Sequence, residues 1–113
     1  MNDAPLVVIT GASSGIGQAL AARYAAAGWR LALFARRTAD VQAWADARGL
    51  DAARCRVWAA DVADTDSIVT AGRACLAAQG VPTVVIANAG ISVGMDTAER
   101  GDIDVMARTF ATN

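Results

Sequence analysis

Residues 7–17 read VVITGASSGIG. A run of β-favouring residues passes directly into three glycines and two serines. The reading is a strand that leaves through a flexible loop and enters a helix. Gly11 allows a tight turn out of the strand. Gly15 lets the main chain approach a bulky anion closely, and Gly17 lets the helix pack tightly on the sheet. A helix beginning here offers unpaired N–H groups and a partial positive charge, and Ser13 and Ser14 add hydroxyl donors. Such a terminus suits a pyrophosphate.

Outward from this stretch, short apolar runs alternate with longer periodic segments. Leu6–Thr10 reads as a strand. Ile16, Leu20 and Tyr24 fall on one face of a helix that Gly28 terminates. Residues 30–35 (RLALFA) form a second strand. Thr38 is expected to cap a helix that carries Val41 and Trp44 and ends at Gly49. Residues 54–60 (RCRVWAA) form a third strand. The DTDS segment at 64–67 offers caps for a helix with Ile68, Gly72, Cys75 and Leu76 inward and Gly80 after it. Residues 81–87 (VPTVVIA) form a fourth strand, with Pro82 at its start, where a missing donor matters least. A last helix is expected over 103–111. Strand and helix alternate throughout, which predicts an α/β fold: a Rossmann-like, doubly wound parallel sheet with helices on both faces. Right-handed crossovers order its four strands 3-2-1-4. A complete sheet of this kind would continue past Asn113, so the chain reads as the truncated, amino-terminal part of one domain.

Composition bounds the function. The 113 residues carry a net charge of −1, and 55% are hydrophobic. A folded domain is expected, and disorder is not. Charges of both signs are interspersed, so no basic stripe points to nucleic acid. The start, MNDAPLVVIT, is neither a secretory signal nor a membrane span. Cys55 and Cys75 make no C-x-x-C pair and have no histidine nearby, so buried free thiols in a reducing compartment are expected rather than a metal or redox centre. The expected location is the cytoplasm. All ten positive charges are arginine; there is no lysine.

The loop spacing is G-x-x-x-G-x-G, and the absence of G-K-[ST] disfavours a nucleotide P-loop. TGASSGIG at 10–17 resembles the T-G-x-x-x-G-x-G loop of the short-chain dehydrogenase/reductase family. Three later motifs agree in order and spacing. ADV at 60–62 is similar to the family's acidic residue after the third strand, which implies that Asp61 and the Val62 backbone meet an adenine. ANAG at 87–90 is similar to N-N-A-G, with Ala87 in place of the first asparagine. TN at 112–113 resembles the end of the family's fourth helix, which implies a catalytic role for Asn113. The resemblance covers all 113 residues but only the amino-terminal part of a family member. Read from the residues alone, Asp61 is a ligand-side carboxylate or a plain helix or turn cap. Asn88 either contacts ligand or ties neighbouring strands together. Ala89 and Gly90, being small, leave room for a ribose and nicotinamide.

The resemblance implies a dinucleotide cofactor, with Gly11, Ser13, Ser14, Gly15, Ile16 and Gly17 as its loop contacts. Sites for NAD place an acid near the end of the second strand to hold the ribose hydroxyls. Here Ala35 stands at that point and Arg36 and Arg37 follow. A guanidinium can hold a 2′-phosphate through two parallel hydrogen bonds, so the expected cofactor is NADP, with NAD second. For Arg37 a merely solvated side chain is equally expected.

Family chemistry implies a tyrosine that protonates the substrate carbonyl and a lysine four residues later that lowers the tyrosine's pKa. This sequence has one tyrosine, Tyr24, followed at that spacing by Gly28, and no lysine. The expectation is an NADP-binding portion of an oxidoreductase that is inactive alone. Its carbonyl or alcohol substrate would be met only in the complete enzyme. A non-catalytic dinucleotide-binding or sensor module and an inactive relic are the other readings. Val84, Val85 and Ile86 in succession, with nothing after them to pair the fourth strand, predict self-association through that edge or marginal stability.

Overall fold

A computed structural model describes residues 4–61 and 63–88. The elements are β1 (Leu6–Thr10), α1 (Gly15–Ala26), β2 (Arg30–Ala35), α2 (Thr38–Ala47), β3 (Cys55–Ala59), α3 (Thr65–Gln79) and β4 (Val84–Ile86). The four strands form one parallel sheet in the order β3-β2-β1-β4. Val8 lies opposite Ala32 on one side and Val85 on the other. The expected fold class and strand order are both found. The expected helix over 103–111 lies outside the described residues.

Alternation along the strands builds two apolar layers. Leu6 and Val8 of β1, with Ala32 and Phe34 of β2, pack against Ile68, Ala71 and Cys75 of α3. Val7 and Ile9, with Leu31, Leu33 and Ala35, pack against Ala21 of α1 and Val41 and Ala45 of α2. Both faces of β1 and β2 are therefore covered, which is why their sequences are continuous apolar runs rather than alternating ones. Burying each large aliphatic or aromatic side chain here contributes about 1.5–3 kcal/mol.

The helix ends follow local chemistry. At the end of α1, Gly28 adopts φ +88°. Its N–H donates to Ala25 O and that of Trp29 to Tyr24 O, closing the last turn on a left-handed residue. Two expectations need correction. Thr38 is the first helical residue of α2, not its cap; Arg37, in extended backbone, holds the cap position and makes no side-chain cap bond. Ile16 does not share the buried face of α1: it is 65% exposed, while Gly17 and Ala21 are buried and Leu20 and Tyr24 are half-buried. The small residues win that face because the helix start must lie directly on the loop. A Cβ at Gly17 would overlap the Gly11 carbonyl oxygen and lie 2.9 Å from Ala12 Cα. The close packing that Gly17 permits is thus against the turn itself. The outer strands are shorter than expected: β3 spans Cys55–Ala59 and β4 only Val84–Ile86, although the Thr83 N–H still donates to Leu6 O at 2.8 Å.

Candidate functional site

Because all four strands are parallel, the loops that follow them gather at one edge of the sheet. The chain runs outward from β1 to β2 and β3, then returns to place β4 on the other side of β1. In sheets of this kind ligands bind beyond the carboxyl ends of the strands where the order reverses, here beyond β1 and β4.

The glycine loop lies at this end of the sheet, between β1 and α1, and is held from within. Gly11 turns the chain with φ +63°. Its carbonyl accepts the Ser14 N–H at 3.1 Å, the Ser14 hydroxyl at 2.9 Å and the Asn88 carboxamide at 3.4 Å. Ser14 caps α1: its Oγ accepts the Gly17 N–H at 3.0 Å. The same oxygen accepts Asn88 Nδ2 at 3.0 Å. With two donors on its lone pairs and its one hydrogen on Gly11, the Ser14 hydroxyl is fully engaged in shaping the loop. Asn88 is buried, and its N–H donates to Thr10 Oγ1 at 3.0 Å. The end of β4 is thus fastened to the end of β1 and to the glycine turn. Of the two readings left open for Asn88, this is the strand-tying one. Thr10 was missed at the sequence level; a hydroxyl immediately before the first loop glycine was its one available signal.

What the loop leaves free matters as much. The N–H groups of Gly15 and Ile16 meet no acceptor among the described residues. A Cβ built on Gly15 would find nothing within 4 Å among the described residues. Gly15, Ile16, Ser13 and Ser14 are all exposed. The first turn of α1 therefore presents donors, a positive dipole end and open space together.

The neighbouring loops complete the rim. Ala35 is buried at the end of β2, and Arg36 and Arg37 are exposed between β2 and α2. No acid lies between Arg30 and Ala39. Asp61 follows β3; its Oδ1 accepts the Ala63 N–H at 2.9 Å. Asp64, not Asp61, caps α3, accepting from the Asp66 and Ser67 N–H groups. Val62, Ala89, Gly90 and Asn113 lie outside the described residues.

Comparison with known proteins fits this geometry. A sequence model of the short chain dehydrogenase family matches residues 5–113. The chain belongs to the short-chain dehydrogenase family. It is 36% identical over 90 residues to a D-threitol dehydrogenase of Mycolicibacterium smegmatis, an alignment covering 80% of this chain and 35% of that protein. It is 37% identical over 112 residues to a Dehydrogenase/reductase SDR family protein 7-like of Drosophila melanogaster, covering 96% of this chain and 34% of that one. The chain thus spans about a third of the length of these relatives. Among solved structures, a metagenomic short-chain oxidoreductase in complex with NADP superposes with a TM-score of 0.79 at 29% identity, covering 96% of this chain and 55% of that one.

Within the short-chain dehydrogenase frame, the two thiols stand apart from the site. Burial pushes Cys55 up to about 11, against an opposing pull from Arg54. Burial likewise pushes Cys75 up to about 12, with Arg56 and Arg30 opposing. Both are neutral at physiological pH and poor nucleophiles. Tyr24, the one tyrosine, packs edge-on against Trp29 at 4.9 Å between ring centroids. No helix among the described residues is long and apolar enough to cross a membrane.

Proposed function

We propose that this chain is the NADP(H)-binding, amino-terminal part of a cytoplasmic short-chain dehydrogenase/reductase. The complete enzyme would interconvert a carbonyl compound and an alcohol. The observation that carries this reading is the first turn of α1. Among the described residues, its Gly15 and Ile16 N–H groups meet no acceptor and a Cβ on Gly15 would meet nothing, at the end of β1 where the strand order reverses. That cradle fits a pyrophosphate held by Ser13, Gly15 and Ile16, with Gly11 and Gly17 shaping the turn beneath it. Ser14 serves the cradle by fixing its shape. Asp61 would accept from the exocyclic amine of adenine, with the Val62 backbone beside the ring. Asn88, Ala89 and Gly90 would border the nicotinamide ribose, and Asn113 would join the catalytic group of the complete enzyme. When bound, the cofactor supplies or accepts the hydride. This chain's own residues bind and orient it; with Tyr24 packed on Trp29 and no lysine present, they supply no tyrosine–lysine proton donor.

NADP is favoured over NAD by the exposed Arg36 and Arg37 beside an alanine, with no carboxylate at the end of β2. A charge-assisted hydrogen bond contributes about 1.5–3 kcal/mol, so NADPH should bind roughly tenfold to a hundredfold more tightly than NADH. Calorimetric titration with both cofactors tests this. The expected result is a preference for NADPH that collapses in Arg36→Ala. Equal affinities in the unaltered chain, or a preference untouched by Arg36→Ala, would contradict it.

A further inference from the structure

We propose that Ser67 is a positioning residue for the adenine end of the dinucleotide, acting through Asp61. The inference rests on the cofactor reading above and deepens it. Ser67 lies in the first turn of α3, three residues after the cap Asp64. A side chain at that position commonly reaches back to the N–H of the cap residue itself. Here the Asp64 N–H donates instead to the Asp61 carbonyl, at 2.9 Å. The Ser67 hydroxyl reaches further and accepts the Asp61 N–H at 3.0 Å. Asp61 Oδ1 then accepts the Ala63 N–H at 2.9 Å. Its N–H, its carbonyl and one carboxylate oxygen are all occupied. The other carboxylate oxygen, Oδ2, takes no donor among the described residues.

The loop is also pinned from the strand side. The Ala60 N–H donates at 3.0 Å to the Ala35 carbonyl, immediately before Arg36. Asp61 therefore sits in a frame fixed at one end by β2 and at the other by α3. Among the described residues, only its Oδ2 is left to accept from an exocyclic amine. Without the Ser67 hydroxyl, the Asp61 N–H loses its acceptor, and the main chain that carries the carboxylate is no longer tied to α3, leaving the turn through the Ala63 N–H to hold it. An acceptor held in one geometry discriminates between a donor and a non-donor far better than one that swings.

The test compares NADPH with nicotinamide hypoxanthine dinucleotide phosphate in its reduced form, which carries a carbonyl where adenine has its amine. Affinities are measured on the 113-residue chain and on Ser67→Ala and Ser67→Thr. The unaltered chain should prefer NADPH about tenfold. Ser67→Ala should reduce that preference to about twofold or less while leaving affinity for the hypoxanthine analogue unchanged. Ser67→Thr, which keeps the hydroxyl, should restore it. Amide hydrogen exchange at Asp61 should accelerate in Ser67→Ala, with β1 and β2 unaffected. A preference that survives in Ser67→Ala overturns the inference, as does an equal loss of both ligands. Failure of the unaltered chain to bind NADPH at all overturns the cofactor reading, and this inference with it.

Discussion

Two glycines two positions apart hold the candidate site together in opposite ways. Gly17 is needed for shape: a Cβ there meets backbone atoms of Gly11 and Ala12, which cannot swing aside. Gly15 has open space where its Cβ would be. Gly17→Ala should therefore destabilise the chain by about 1–3 kcal/mol, the usual scale of overpacking. Gly15→Ala should leave stability within about 0.5 kcal/mol and lower affinity for NADPH instead. Thermal melts and cofactor titration on the two variants separate these outcomes; matching losses of stability would show that Gly15 is also structural. The glycine spacing was legible in the sequence because Gly11 takes a left-handed φ and Gly17 has no room for a Cβ. The engagement of Ser14 was not. Its three partners include Asn88, 74 positions away, and no local pattern announces that meeting.

At the scale of elements, the edge of the sheet opposite the site is locked by one glutamine. Gln79, at the end of α3, is buried. Its Nε2 donates to Leu31 O at 2.9 Å, and its Oε1 accepts Trp58 Nε1 at 2.9 Å. The Cys75 thiol lies 3.5 Å from the same Oε1. The main-chain carbonyl of Gln79 accepts from the Arg30 guanidinium at 2.7 Å, and Arg30 Nε donates to Ala4 O. One side chain thereby joins α3 to β2 and β3. Gln79→Leu strands the Trp58 indole N–H, while the Leu31 carbonyl keeps its ladder pairing with β3. An unsatisfied buried group costs about 1–3 kcal/mol, so a loss of that size is expected in urea denaturation. A loss under about 1 kcal/mol would show that water replaces the amide. The apolar face of α3 was readable from the spacing of Ile68, Cys75 and Leu76. Gln79 at the helix end looked like an ordinary polar terminus, because the groups it satisfies lie on two separate strands.

For the molecule as a whole, the two outer edges of the described sheet differ. β3 carries exposed Arg56, whose guanidinium lies 4.9 Å from the Trp58 ring. A charge on an edge strand discourages pairing with another chain. β4 holds Val84, Val85 and Ile86, each half-buried, and is bonded only to β1 among the described residues. The 113-residue chain is expected to self-associate along β4. Light scattering should show apparent mass rising with concentration, with hydrogen exchange at residues 84–86 slowing in step. A mass independent of concentration would rule this out.

Strand count, their parallel direction, the β3-β2-β1-β4 order and the glycine turn could be read before any coordinates. They rest on near-neighbour chemistry: apolar runs of strand length, helical spacing between them, left-handed positions that favour glycine, and the fixed hand of crossovers. The outcomes at Ile16, Asn88, Ser67 and Gln79 could not. Which face of α1 turns inward is set by how closely Gly17 must approach Gly11, and that closeness is a property of the folded loop. The partners of Asn88 and Gln79 are dozens of residues away in the chain. A buried polar group must find a partner, but only the packed sheet decides which one stands within reach.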